Sequence, residues 1–452
     1  MSQSNLLTAP VRPLILKIAL PSMLAMIASA LCTLLDSLLL GRLGSPMTAA
    51  AAISVPILSC IQALGFTLGM GAGSFVSRCL GSGDHSSAQT TASTALFLGL
   101  GISLALCSAG VLFAAPLSRL LGAADEILSP ACAYARYVLL SGPLLCTNLI
   151  LSSLLRAQGQ TLPNMAAFVS GAAVSIALQF LLIARIGIHG AGAAMLVREA
   201  ITLSVLSVCF LRGRLPVRLS LRVVSLRVQV FRNIMRSGAP TLLRQGITSL
   251  SAALLTRAGA SFGPAALAGL GLSTRVLNVI TAAAIGFGQG FQPVCGAAFG
   301  AGLTDRIRSA YRFSMCVVWI TLAAAGAALF MLSSTVMGVL SRDAQAFEIA
   351  KSALRAQSVT LFAQGAVIMM NMLTQAMGQT VRASIVATSR QGFVFIPMLY
   401  VLVRLFGLPG LILCQSVSDL ISLALCWLIT RNAIRCCGYA HGECWDARKE
   451  SQ

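Results

Sequence analysis

The chain has 452 residues, 57% hydrophobic and 10% charged, with a mean hydropathy of +0.87. Soluble globular proteins carry about 25% charged residues. A soluble enzyme, a disordered scaffold and a secreted disulfide-rich module are therefore excluded, and a polytopic helical membrane protein with a lipid-facing apolar surface remains. The formal charge of +20 does not signal nucleic-acid binding. The cations are nearly all arginines in short loops between apolar runs, the distribution that the positive-inside rule gives cytoplasmic loops.

A bilayer core needs about 20 helical residues. The first apolar stretch, 14–40, is longer than the roughly 7–15 residues of a signal peptide's apolar region and is expected to stay as a span. Five more are expected near 48–76, 90–115, 132–155, 164–185 and 191–211. Spans five and six meet at the tight turn Ile186-Gly187-Ile188-His189-Gly190. The next segment holds Arg212, Arg214, Arg218, Arg222, Arg227, Arg232 and Arg236, a density that no other connection approaches. A second set of six is expected near 238–261, 267–293, 311–340, 354–377, 383–405 and 410–430. Placing the arginine-rich segment in the cytoplasm puts both termini there. Arg12, Lys17, Arg306, Arg308, Arg312, Arg431, Arg435, Arg448 and Lys449 agree, and the opposite loops carry fewer cations, such as Arg42, Arg119 and Arg185. Arg342, Lys351 and Arg355 after span nine run against the trend.

Most of the fourteen cysteines, including Cys32, Cys60, Cys107, Cys146, Cys209, Cys316, Cys414 and Cys426, sit inside apolar runs and read as small hydrophobic side chains. In the tail, Cys436, Cys437, His441 and Cys444 are four potential zinc ligands without the paired CxxC hairpins of a structural site. A juxtamembrane thiol cluster, free or lipidated, fits that spacing better, and no metal site is expected.

The two halves repeat. Pro21 and Pro240, Gly44 and Gly263, and the segments Leu154 to Thr161 (LLRAQGQT) and Leu373 to Thr380 (LTQAMGQT) all stand 219 residues apart. Gly69-Met70-Gly71-Ala72-Gly73 answers Gly286-Phe287-Gly288-Gln289-Gly290 at 217, and the turn at 186–190 answers Phe406-Gly407-Leu408-Pro409-Gly410 at 220. An even number of spans per repeat gives both repeats one orientation. The expected fold is thus an all-α integral membrane protein with twelve transmembrane helices in two six-helix lobes, related by a pseudo-twofold axis along the membrane normal. The expected division is 1–211 for the N-lobe, 212–237 for a basic cytoplasmic linker, 238–430 for the C-lobe and 431–452 for a cytoplasmic tail. A cavity between rocking lobes would suit alternating access.

Several segments carry a resemblance to a known family: Leu34 to Gly44 (LLDSLLLGRLG), Gly69 to Asp84 (GMGAGSFVSRCLGSGD), Leu155 to Thr161, Gly286 to Gly302 (GFGQGFQPVCGAAFGAG) and Gln415 to Asp419 (QSVSD). Over nearly its whole length the chain resembles the MATE family, the multidrug and toxic compound extrusion transporters. The resemblance implies export of varied, often cationic, lipophilic compounds, driven by inward flow of protons or sodium ions. It implies a bacterial cytoplasmic membrane, a monomer in the lipid bilayer, and small-molecule substrates without a cofactor.

A charge at mid-bilayer costs at least about 2.5–3.5 kcal/mol, so the three intramembrane carboxylates, Asp36, Glu199 and Asp419, need reasons. Asp36 lies toward the non-cytoplasmic end of span one, and its repeat counterpart is Leu255. It is either a protonatable coupling group or a polar lining residue. The resemblance favours coupling, because the family places a functional aspartate in this LxDxxxxGxLG-like pattern. Related members pair it with an Asn and an Asp on span five, where this chain has Ser175 and Gln179. These share a helix face but carry no negative charge, which disfavours sodium. Glu199 and Asp419 are repeat mates at offset 220 and suit either coupling or ion pairing. Arg244, Arg257, Arg275 and Arg390 are candidate partners; Arg198 is adjacent to Glu199, but neighbouring helix residues point about 100° apart.

Pro21 removes one helix hydrogen bond and is either a hinge for protonation-linked bending or a static kink. Gln289 and Pro293 in span eight are candidate cavity residues. So are Met369, Met370, Met372 and Phe362 in span ten, as an adaptable apolar wall, with plain packing as the alternative. The spans show no nucleophile–base pair, so no enzyme is expected. The main rival is a lipid or lipid-linked oligosaccharide flippase of the same superfamily, which a groove lined by Arg244, Arg257 or Arg275 would favour.

Overall fold

The computed structural model describes residues 3–41, 45–212, 215–225, 227–340 and 343–436. Arg42, Gly44, Arg214, Arg342, Arg448, Lys449 and the tail residues Cys437, His441 and Cys444 lie outside the described residues. Among the described residues all regular structure is helical. Span one is Val11–Gly41, preceded by a short helix at Gln3–Thr8. Span two is Val55–Gly81, with a short helix at Ser45–Ile53 before it. Spans three to six are His85–Leu112, Asp125–Ala157, Thr161–Ile186 and Ile188–Leu211. Spans seven to nine are Val228–Ala260, Pro264–Gly300 and Thr304–Leu340.

Span ten is bent by 54° between Ala344–Val359 and Leu361–Ala376. Span eleven runs over Thr380–Phe406, with one π-helical turn at Ser389–Phe393, and span twelve is Leu408–Cys436. Ten of these helices are long and apolar enough to cross a membrane, eleven when the bent pair counts as one. The twelfth is span seven, long enough at 33 residues but polar, since it carries Arg232, Arg236, Arg244 and Arg257.

Local chemistry sets the joints. Asp84 caps span three by accepting from the Ser87 amide at 3.0 Å, the usual use of an Asx side chain on orphan N–H groups. Spans five and six share one joint residue, Gly187, and spans eleven and twelve share Gly407, with φ of 59° and 61°. That left-handed backbone suits glycine, and its recurrence at repeat-related sites is the duplication seen in three dimensions.

Spans one to six pack on one another, as do spans seven to twelve, and the two lobes meet through spans one and two against seven and eight. Small residues allow that approach. A Cβ on Gly81 would overlap the carbonyl oxygen of Ala297, and one on Gly300 that of Arg78. Arg78 donates to the carbonyls of Gln375 and Ala376 at 3.4 and 3.3 Å and to Ser237 Oγ at 3.1 Å. Gln292 donates to Ser74 Oγ at 3.1 Å. Arg306 donates to the carbonyls of Leu6 and Ala9 at 2.9 and 2.7 Å. All these bonds gather at the membrane side of the linker, the linker end.

Span seven starts ten residues before the expected 238. Its first turns are polar, so hydropathy did not reveal them, yet buried Ile234 sits in the core of the first lobe. The linker also packs on that lobe. Val217 N donates to Gln158 Oε1 at 3.0 Å, Ser220 N to Ser93 Oγ at 3.2 Å and Ser225 N to Thr94 Oγ1 at 3.1 Å.

Candidate functional site

The main cavity, about 290 Å³, lies inside the first lobe between spans one, two, four, five and six. Span eight contributes Arg275 and Gln289. Met26, Phe66, Val138, Leu149, Phe168 and Met195 give it an apolar wall, while Asp36, Arg198, Glu199, Asn164 and Gln62 give it a polar one.

Asp36 is the centre of the polar wall. Arg198 Nη1 lies 3.2 Å from its Oδ2, and Gln179 Nε2 donates to its Oδ1. The Cys32 thiol, one turn back on span one, points at Oδ1 from 3.7 Å. Gln179 also donates to Ser175 Oγ at 3.2 Å, so Asp36, Ser175 and Gln179 stand together across spans one and five. Arg198 is shared: its Nε lies 3.0 Å from Glu199 Oε1. Asn148 of span four donates to Glu199 Oε2 and to the Glu199 carbonyl, both at 2.9 Å. Two carboxylates thus divide one guanidinium, and with both ionised the cluster holds one excess negative charge. The Asp36 side chain is 23% exposed and that of Glu199 5%, so a solute in the cavity reaches Asp36 first.

Arg198 corrects the expectation that adjacency would keep it from Glu199. Neighbouring Cβ atoms do diverge by about 100°, but the long arginine stem curls back, its Nε facing Glu199 and its Nη1 facing Asp36. Asp419 takes Arg390, presented by the π turn of span eleven, with Gln415 donating at 3.2 Å. The side-chain exposures of Arg390 and Asp419 are 17% and 3%, and neither lines the cavity. Arg275 lines the cavity, while Arg244 and Arg257 form no ion pair among the described residues.

Pro21 is buried inside span one, one residue before the cavity-lining Ser22. Gln289 lines the cavity, and Pro293 lines only a small void at the linker end. Met369, Met370 and Phe362 do not line the cavity. Met369 and Met370 are fully buried in the second lobe, with the Met369 sulfur against the groove at Gly288. Phe362 meets Trp319 edge-on at 6.1 Å. A methionine's flexibility fills the groove that a glycine leaves, and packing takes these side chains here.

Sequence reasoning missed Arg156. It lies in the repeated segment at 154–161, is buried, and lines both the cavity and the small void. Its repeat counterpart is the neutral Gln375, and that asymmetry was the available signal.

Two duplicated helical lobes pack against each other at one end, and the lined cavity lies in the first of them. The MatE family model matches residues 21–195 and 240–401, and the chain belongs to that family of transporters. It is 24% identical over 428 residues to the multidrug export protein MepA of Staphylococcus aureus, covering 93% of this chain and 94% of that one. Its fold superposes on a multidrug resistance MATE transporter in an outward-facing conformation, with TM-score 0.92 and 23% identity over 97% of this chain and 99% of the other. A MOP-superfamily transporter from Pyrococcus furiosus gives TM-score 0.91 and 23% identity over the same shares.

Proposed function

We propose that the protein is a multidrug efflux antiporter that exports lipophilic, often cationic compounds in exchange for protons by alternating access. The observation that carries this reading is the pair of carboxylates sharing one guanidinium on the wall of an open cavity. Asp36 is the coupling group. When it takes a proton its pairing with Arg198 is lost, Arg198 stays with Glu199, and the excess negative charge disappears. A cationic substrate then loses its electrostatic partner. Gln179 is placed to sense the change. Its Oε1 is buried without a hydrogen-bond partner, and a half-turn of the amide offers that oxygen to the new Asp36 O–H. Pro21 is the hinge at which span one bends as the cavity empties.

Protons are favoured over sodium by the chemistry around Asp36. Its neighbours present an N–H of Gln179, a guanidinium and a thiol, whereas a sodium ion needs several oxygens. The working division is an N-lobe at 1–211, a linker at 212–237, a C-lobe at 238–430 and a tail at 431–452. The linker end and both termini face the cytoplasm of a bacterial cell, and the protein works as a monomer in the cytoplasmic membrane. The multidrug export named for the Staphylococcus aureus relative supports the substrate class.

Ethidium transport in energised everted vesicles tests the reading, with the proton and sodium gradients collapsed in turn. Proton-dependent transport that Asp36→Asn abolishes at unchanged membrane expression is expected. Wild-type rates in that variant would move coupling to Glu199 or Asp419. The flippase reading has Arg275 on the cavity wall in its favour, and it becomes the better one if the wild type moves no ethidium.

A further inference from the structure

We propose that the floor of the first-lobe cavity is a binding subsite for an anionic group, a carboxylate or a phosphate, held by Arg156. The proposal deepens the transport reading and rests on it for the place where substrate sits. Arg156 stands near the linker end of span four and is 6% exposed. Its described hydrogen bonds go to two hydroxyls of its own helix, Nη1 to Ser152 Oγ and Nη2 to Ser153 Oγ at 2.9 Å. A guanidinium has five N–H donors, and the Arg156 side chain lines both the cavity and the small void. None of the described ion pairs includes it. The side chains lining the small void with it, Ser74, Ser77, Gln289 and Gln292 among them, are all neutral.

A buried charge without a counter-charge is costly, and the fold does not require this one. At the repeat-related position the neutral Gln375 is satisfied within the protein. It donates to Thr241 Oγ1 at 2.9 Å and to the Ser237 carbonyl at 3.5 Å, and accepts from Gln292 at 3.2 Å. The first lobe thus keeps a cation without an ion-pair partner among the described residues where its duplicate manages with an amide. An anion supplied by the ligand completes the site, and the planar fork of arginine suits carboxylate or phosphate.

Spacing defines the rest of the ligand. Asn148, which holds Glu199, and Ser152, which receives Arg156, lie one turn apart on span four, about 6 Å of rise. The cavity therefore has an acidic pole at Asp36 and Glu199 and a basic pole roughly one helical turn below it, with Phe66, Leu149 and Phe168 lining the space as apolar wall. The geometry selects an amphoteric compound with a flat apolar body, or a lipid headgroup carrying both charges.

Rhodamine B, which carries a free carboxylate, and its ethyl ester, which does not, form a matched pair. Their binding to the purified full-length protein in detergent is read by fluorescence anisotropy. Arg156→Gln installs the residue of the second lobe and is expected to raise the Kd of rhodamine B about tenfold, the worth of about 1.4 kcal/mol, with the ester unchanged. Arg156→Lys keeps the charge without the fork and is expected to weaken rhodamine B alone by a smaller factor, which decides the matter if the glutamine variant does not fold. Displacement of rhodamine B by added phosphatidylethanolamine or phosphatidylcholine, whose headgroups carry both charges, would assign the anion to a lipid; no displacement would assign it to a solute. Equal effects on both dyes, or wild-type binding of the ester alone, would overturn the subsite and leave the transport reading standing. Binding of neither dye by the wild type would count against the cavity as the substrate site, and the subsite would fall with it.

Discussion

The two lobes share one chain plan but spend their buried charges differently. In the first, Asp36, Arg198 and Glu199 form an unequal cluster on the wall of a cavity, with Asp36 within reach of a solute. In the second, Arg390 and Asp419 form a balanced pair inside the helix packing, with Gln364 lying against the same guanidinium. Position 36 is a carboxylate and its mate Leu255 is apolar; position 156 is a cation and its mate is Gln375. Duplication supplied two related scaffolds, and only the first gathers its carboxylates on the wall of the main cavity. Unequal charge suits a site that must change state, and balanced charge suits a site that must not.

The largest effect expected from this contrast is a crossed outcome. Asp36→Asn removes ethidium transport while the unfolding midpoint of the purified protein stays near that of the wild type. Asp419→Asn acts the other way, because it leaves the largely buried Arg390 without its counter-charge. Breaking such a pair costs about 3–5 kcal/mol, to be read as a lower unfolding midpoint and poor yield. Replacing both partners by apolar residues, Arg390→Met with Asp419→Leu, is expected to recover most of that stability. If Asp419→Asn folds well and loses transport instead, the division of labour between the lobes is wrong.

A smaller effect is expected where the lobes meet. Gly81→Ala places a methyl against the Ala297 carbonyl and pushes the linker end apart. Labelling of Ser74→Cys by a membrane-impermeant thiol reagent added at the linker side is expected to speed up several-fold in that background. An unchanged rate would mean that the lobes yield elsewhere. The smallest effect belongs to Ser175→Ala, which deletes one hydrogen bond to Gln179 and is worth about 1 kcal/mol. Transport reduced by no more than about fivefold is expected from a loss of that size, and complete loss would promote Ser175 to a direct coupling role.

Much of the fold was legible because a bilayer permits few solutions. Long apolar runs and a 219-residue period report helices and duplication with little ambiguity. Span seven was the exception in its boundary, since its arginine-bearing first turns pack on the other lobe and hydropathy reads only exposure to lipid. The site was legible in part. Asp36 stood out as a charge in an apolar helix, and the one-turn spacing of Ser175 and Gln179 foretold their shared face. Glu199's partner was misjudged because Cβ directions say little about where a long arginine ends. Arg156 went unread because a cation one residue before the end of a span looks like an interfacial anchor. Only packing shows it to be buried. The span-ten methionines illustrate the converse, since composition cannot distinguish a cavity wall from a filled glycine groove.

The linker's three backbone bonds to Gln158, Ser93 and Thr94 decide which parts of the molecule move as one. The segment at 215–225 is a rim of the first lobe, not a slack tether between the two. A fluorophore at Arg218 would therefore travel with spans one to six, and its distance to a second dye on the exposed face of span nine would trace the opening and closing of the transporter in real time.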